Sequence, residues 1–273
     1  MIEVKIILDS ISPKNIRITT FELKYPRFIL SEFNTHRVFS RNSASSRAIP
    51  VIKLIKDVIN DPVIPVFWGK NIPGMQAKEE LTGLKKKLSI FLWKFSRYPA
   101  CFFAYILTKI GLHKQIANRI IEPWMYTKTI VTATELNNFF ELRCHKDAQP
   151  EIKVLADQMR EIYNRSIPKN LKYGEWHLPY IMDDERFNYP IEQLIKISTA
   201  RCARVSYLTH DGKIPSVEKD FKLYDDLVGS VPIHASPTEH QATPTKDTKF
   251  HKNFIGWKQH RADIEDKFNH GEN

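Results

Sequence analysis

The chain has 273 residues, 42% hydrophobic and 26% charged, which is enough to bury a core and excludes a disordered or fibrous class. Its formal net charge of +10 favours anionic partners: nucleotides, acidic cofactors or nucleic acid. Three cysteines, widely spaced and with no CxxC, exclude a disulfide framework and fit a reducing cytoplasm.

The opening MIEVKIILDS alternates like a strand and does not read as a signal peptide. Ile16, Ile18, Phe21 and Leu23 continue the pattern, so a hairpin turning at Ser12-Pro13-Lys14-Asn15 is expected. Pro26 ends the second strand, and Phe28–Phe33 reads as a short helix. Thr35–Ala48, THRVFSRNSASSRA, then packs His36, Arg37, Arg41 and Arg47 among hydroxyls and an amide. Donors this dense are costly to bury unless something anionic meets them, which points to a phosphate-bearing ligand.

Pro50 closes that loop, and Val51–Asn60 predicts a helix. Residues 61–75 are rich in Pro and Gly and predict a loop. Gln76–Lys94 and Tyr98–Ile110 predict two helices, with Gly111 as a break and His113–Ile121 as another short helix. The apolar stretch Leu88–Ile110 is interrupted by Lys94, Arg97, Pro99 and Lys109, so it reads as buried helices and not a membrane span. Thr132–Asn164 shows a long helical period, kinked or split by Pro150. Gly174–Asn188 reads as loop, Ile191–Tyr207 as helix mixed with small residues, Ser216–Val228 as helix, and Val231–Pro244 as a polar loop. The tail from Gly256 is charged.

Three polar constellations stand out. The first is Thr35–Arg47. The second is NNFFELRCHKDAQPEI, where helical spacing puts Asn138, Leu142 and Gln149 on one face with Arg143 near its edge. Its plain alternative is a helix with one wet face. The third is HASPTEH, with His234, Ser236, Glu239 and His240; Ser236 and Glu239 have the spacing of a capping box. A zinc site from His234, His240 and His36 matches no standard spacing, so no metal is expected. Cys144 beside Arg143 and His145 could be a nucleophile, but a small buried cysteine is the preferred reading.

Together the three constellations resemble the flavin-dependent thymidylate synthases. Thr35–Ala48 is similar to that family's RHRxxSxNExSxRY signature: His36, Arg37, Ser40, Asn42, Ser45 and Arg47 match, while Thr35, Ser43 and Ala48 depart. ELNNFFELRCHKDAQPEI resembles its FLxLRxxxxAQxEI helix at Asn138, Arg143, Ala148, Gln149, Glu151 and Ile152. Arg119 sits where the family has an arginine ahead of a proline. Arg204, Val205 and Ser206 resemble an AARVSF segment, and Val231–His240 a GHETPFEH loop. Both precede the signature in the family but lie near the C-terminus here. The resemblance therefore implies a circular permutation, in which the segment after His240 runs close to the strand at Ile16–Lys24.

The fold so implied is α/β (α+β), flavin-dependent thymidylate synthase-like and circularly permuted. It has a central mixed or antiparallel sheet with long helices, in one domain over 1–273 with a helical insertion around 60–112. The activity implied uses FAD, NADPH and methylenetetrahydrofolate to move a one-carbon unit to C5 of a pyrimidine deoxynucleotide, dUMP to dTMP, in a homotetramer with sites at subunit interfaces. Arg143 and His234 would be catalytic, Arg143 by stabilising charge on the pyrimidine and His234 beside the flavin and folate. Arg47, Ser45, Arg119, Arg143, Glu32 and Ser43 would meet the nucleotide. His36, Arg37, Val38, Asn138, Ser206, Ser236, Glu239 and Leu142 would meet FAD.

Several departures bear on this. Glu32 stands for a nucleotide-contacting Gln and Ser43 for the signature Glu. Thr132 and Thr134 stand for an Asn and an Arg that hold FAD, so Lys128 or Lys146 could supply new contacts. dCMP as substrate, or a hydroxymethyl product, is an open alternative. A third reading is a non-catalytic nucleic-acid-binding relative using Trp68, Trp93, Trp124, Trp176 and Trp257. No membrane partner is expected.

Overall fold

A computed structural model describes residues 1–74, 76–207, 216–230 and 233–269. β1 (Glu3–Ile11) and β2 (Arg17–Pro26) pair antiparallel from Glu3↔Lys24 to Ile11↔Arg17, with an irregularity between Ile6 and Leu8. Their turn is closed by Ser12 and Asn15, whose φ of 57° is a left-handed conformation asparagine tolerates. A 3-10 turn and α1 (Leu30–Phe33) lead into β3 (Ser40–Ser43), then α2 (Val51–Asn60), α3 (Gly83–Lys109) and α4 (Lys114–Ala117). A 3-10 segment, Asn118–Trp124, opens onto β4 (Tyr126–Ala133), followed by α5 (Asn137–Arg143), α6 (Pro150–Arg165) and β5 (Lys169–Asn170). The C-terminal part holds α7 (Asp183–Asn188), α8 (Ile191–Tyr207) and α9 (Val217–Val228). After the 3-10 turn Ser236–Glu239 come β6 (Ala242–Pro244), β7 (Phe250–His251), β8 (Phe254–Ile255), β9 (Trp257–Gln259) and α10 (His260–Asn269).

The main sheet has the order β3-β4-β2-β1-β5, antiparallel except for the parallel β1–β5 pair. This is the expected mixed α/β architecture. Phe21, Leu23 and Tyr25 point to one face, where they pack with Phe139, Ile152, Leu155 and Met159 of α5 and α6. Thr20 and Thr132 point to the other, beneath α8 and the 3-10 turn. There a fully buried hydrogen-bonded chain runs Ser10–His177–Thr20–Thr132–His240, with links of 2.7–2.9 Å. A second core joins Val51, Leu54 and Val58 of α2 to Cys101 and Ala104 of α3 and to Ile121 and Trp124.

The structure corrects several expectations. Thr132 does not start a helix: it lies in β4, whose Thr127, Thr129, Ile130, Val131 and Thr132 are suited to a buried strand. The helical period beyond it is two helices, with Pro150 at the first position of α6 and Gln149 capping it by accepting from Ile152 N at 2.9 Å. Asn138 and Leu142, four residues apart, do share a face of α5, but Gln149 caps α6 and does not lie on it. Gln76–Lys94 and Tyr98–Ile110 are not two helices: α3 runs through Pro99, which sits on the exposed side where water can replace the missing bond, and 76–82 is not helical. Nor is Leu88–Ile110 buried, since α3 buries only its inner side. Ser236 makes no capping bond. Gly174–Asn188 contains α7, and Val231–Pro244 contains β6; residues 231–232 lie outside the described set. The charged tail from Gly256 carries Trp257, fully buried in β9. Its Nε1 donates to Ile16 O at 3.1 Å, so the segment after His240 does lie against the start of β2.

Candidate active site

Arg143 closes the last turn of α5, where a cation complements the helix C-terminus. Its Nε donates to His36 Nε2 at 2.8 Å and its Nη2 to Thr35 Oγ1 at 3.0 Å. His36 is packed between Phe39 (5.7 Å, stacked) and Phe139 (4.8 Å, edge-on). Burial, Arg143 and Arg41 lower its pKa to about 4. At neutral pH the ring is uncharged, and because Nε2 accepts, Nδ1 carries the proton.

Much of the donor-rich loop is spent on holding itself. Arg41 Nη1 donates to the carbonyls of His36 at 2.6 Å and Asn34 at 3.2 Å. Ser40 Oγ accepts from Gln259 at 2.7 Å, Asn42 donates to Cys202 O at 2.9 Å, and Ser43 bonds Thr129 at 2.8 Å. Ser45 caps the turn that presents Arg47. Ser46 donates to Glu122, which also pairs with Arg27 and Arg119, each at 3.0 Å.

A cleft of about 1930 Å³ lies between α5–α6 and the segment 118–124. Glu32, Leu142, Arg143 and Lys146 line one side, and Arg27, Arg119 and Glu122 the other. Three of the residues expected at the nucleotide, Glu32, Arg119 and Arg143, thus share one cleft. Ser43, Ser45 and Arg47 do not line it. Arg37, Val38, Asn138 and Leu142 are exposed around the loop and α5.

His234 and Ser236 are exposed on the segment that enters the 3-10 turn packed on β3 and α8, and His234 N donates to Leu227 O. Glu239 is buried and held by Arg261, and burial raises its pKa. The Ser206 side chain lies outside the described residues. Thr132 is taken up by Thr20 and His240, and Thr134 Oγ1 accepts from Ile255 N. Lys128 lines a separate cavity of about 550 Å³ beside α2. Burial and a hydrogen bond with Asp157 push the Cys144 thiol up to about 11, which removes it as a nucleophile at neutral pH.

The reading of the sequence missed Arg27 and Glu122. Their only signals are positions after Pro26 and before Pro123, and neither marks a site alone. His177, which links Ser10 to Thr20 in the buried chain, gave no signal either.

The geometry defines a large cleft on a mixed α/β scaffold, with Arg27, Arg119, Arg143 and Lys146 among its lining. Residues 11–169 match the family model described as thymidylate synthase complementing protein, and the chain belongs to that family. The flavin-dependent thymidylate synthase of Tropheryma whipplei strain TW08/27 is 30% identical over 165 residues, covering 55% of this chain and 65% of that one. The protein of strain Twist is 30% identical over 165 residues, with 55% and 64% covered. The chain thus spans less than two thirds, 65% and 64%, of the length of these curated relatives. Among solved structures, the UMP/dUMP methylase PolB from Streptomyces cacaoi with 5-Br UMP has a TM-score of 0.48 at 17% identity, covering 60% of this chain and 89% of that one. Its form with 5-Br dUMP gives 0.47 at 16%, covering 60% and 91%.

Proposed function

We propose that the protein is a flavin-dependent enzyme that modifies C5 of a pyrimidine deoxynucleotide, taking a one-carbon unit from methylenetetrahydrofolate to convert dUMP to dTMP, with NADPH as reductant. The observation that carries this reading is the meeting of Glu32, Arg119 and Arg143 in one cleft, from three separate parts of the chain. Family membership and the relatives' names support it.

In this reading Arg143 binds the pyrimidine and stabilises negative charge as C5 becomes nucleophilic. The neutral His36 accepts from Arg143 and fixes its direction without competing for substrate charge. Arg119 contacts the nucleotide, its guanidinium aligned by Glu122. Arg47, exposed and making no hydrogen bond from its guanidinium among the described residues, is left to clamp phosphate.

FAD, when bound, supplies the redox chemistry of the transfer. The residues present fit a phosphate-bearing cofactor in part. Arg37 and Asn138 are exposed and make no side-chain hydrogen bond among the described residues, so they can hold it. Glu239 is closed off by Arg261 and cannot do so without releasing it.

His234, Ser45 and Arg47 lie outside the cleft that holds Arg143. That arrangement suits a homotetramer in which another copy supplies them. The contact between Trp257 and Ile16, with a family match that starts at residue 11, supports a permuted order.

The test is an anaerobic reaction of purified protein with FAD, NADPH, methylenetetrahydrofolate and dUMP or dCMP, the nucleotide product read by mass spectrometry. A gain of one CH2 on dUMP is expected. A gain of CH2O, or product only from dCMP, would move the reading to a hydroxymethylase or a cytidylate enzyme. No product from either would overturn it.

A further inference from the structure

The outer side of α3 is apolar. Leu84, Leu88, Phe91, Phe95, Tyr98 and Phe102 fall in one sector of the helix at about 100° per residue, and their exposures run from 47% to 80%. Phe103, Ile106 and Ile110 widen and lengthen the stripe, at 56%, 39% and 74% exposed. The opposite side of α3, through Cys101 and Ala104, already packs on α2 and the 118–124 segment. So the fold has used the inner face and left a second apolar face in water. A contiguous patch of this kind marks an interaction surface.

Charge selects the occupant. α3 carries Lys85, Lys86, Lys87, Lys94, Arg97 and Lys109 and neither Asp nor Glu. By helical spacing Lys85 borders one side of the stripe, and Lys87 and Lys94 the other. Lys86 is paired with Glu80 at 2.6 Å; Lys85, Lys87 and Lys94 make no ion pair among the described residues. A second copy docked face to face would set cations against cations with no carboxylate on either helix to answer them. An anionic bilayer surface answers both features: aromatic rings enter the boundary between headgroups and acyl chains, while flanking lysines meet lipid phosphates. We infer that α3 is a surface-lying membrane helix that docks the protein on anionic lipid. The helix is about 40 Å long and would lie flat, since no helix of the described residues is long and apolar enough to cross a membrane.

The test is co-sedimentation of the full chain with vesicles of phosphatidylcholine alone, or of an equimolar mixture with phosphatidylglycerol. Partitioning onto the anionic vesicles should exceed that onto neutral ones by about tenfold or more and should fall with added salt. A Phe95→Glu, Phe102→Glu variant, shown folded by circular dichroism, should stay in the supernatant. A Lys85→Glu, Lys87→Glu variant should lose only the preference for phosphatidylglycerol. The inference is overturned if wild type does not sediment with anionic vesicles, or if the double Phe variant sediments as wild type does. It is equally overturned if light scattering shows a wild-type oligomer that the Phe variant dissociates, because a second copy then covers the face.

Discussion

Arg143 donates its Nε hydrogen to Nε2 of His36 across 2.8 Å, and burial keeps that imidazole neutral. The pair joins the end of α5 to the donor-rich loop and aims a permanent cation into the cleft beside Glu32 and Arg119.

Arg143→Ala should therefore lower turnover by about a hundredfold to a thousandfold, the scale of a lost charge-stabilising donor. The protein should stay folded, since Arg143 is only partly buried and no core cluster includes it. Steady-state kinetics with circular dichroism decide this. Near-normal turnover would sink the role given to Arg143.

Stability should fall as pH drops below neutrality. His36 has a pKa lowered to about 4, and His177 and His240 to about 3, all chiefly by burial, against an ordinary value of 6.5. A histidine lowered in the folded state binds its proton more readily when unfolded. Its contribution is present above 6.5 and is lost as pH falls from there towards the folded value. Each adds at most about 1.4 kcal/mol per pH unit in that window. Urea titrations at pH 7.5, 6 and 5 should show midpoints falling in that order, and a flat profile would contradict neutral burial of these rings.

The hairpin was legible because Val4, Ile6 and Leu8 alternate in type and Pro13 marks the turn. α2 was legible because Pro50 opens it and its apolar residues repeat at helical spacing. β4 was not: Ile130, Val131 and Thr132 are buried on both faces of the sheet, so no alternation of polarity marks the strand. Pro99 misled in the other direction, because an exposed proline need not end a helix whose far side is packed. In the site, Arg143 and His36 each stood out by residue type. Their contact, 107 residues apart in sequence, depends on how α5 packs against the loop, which spacing does not encode. Glu122 was invisible for the same reason: its role lies in the Arg27, Ser46 and Arg119 atoms that converge on it.

Asp220→Asn should destabilise the fold by about 3–5 kcal/mol. Asp220 is fully buried and pairs with Arg201 at 3.0 Å and Arg204 at 2.7 Å, tying α9 to α8. Glu185 holds the other side of Arg201 at 2.6 Å, so the variant would leave Arg204 as the cation short of a carboxylate. Chemical denaturation measures the loss. A change below about 1 kcal/mol would mean that water reaches this cluster and screens it.

The proposed function assigns Arg47 and Arg37 to different ligands. Both are exposed arginines of the signature loop, yet the resemblance gives Arg47 to the nucleotide phosphate and Arg37 to the flavin. Arg47 follows the turn capped by Ser45, beyond the end of β3, while Arg37 stands two residues before Phe39, a core residue packed on Phe139. Arg47→Ala should weaken dUMP binding by roughly tenfold, as expected for a lost charge-assisted contact, with FAD binding nearly unchanged. Arg37→Ala should do the reverse. Calorimetric titration of each variant with dUMP and with FAD measures both. If Arg47→Ala reduces FAD affinity more than dUMP affinity, the two halves of the loop have exchanged ligands, and the nucleotide pocket must be redrawn around Arg119 and Arg143 alone.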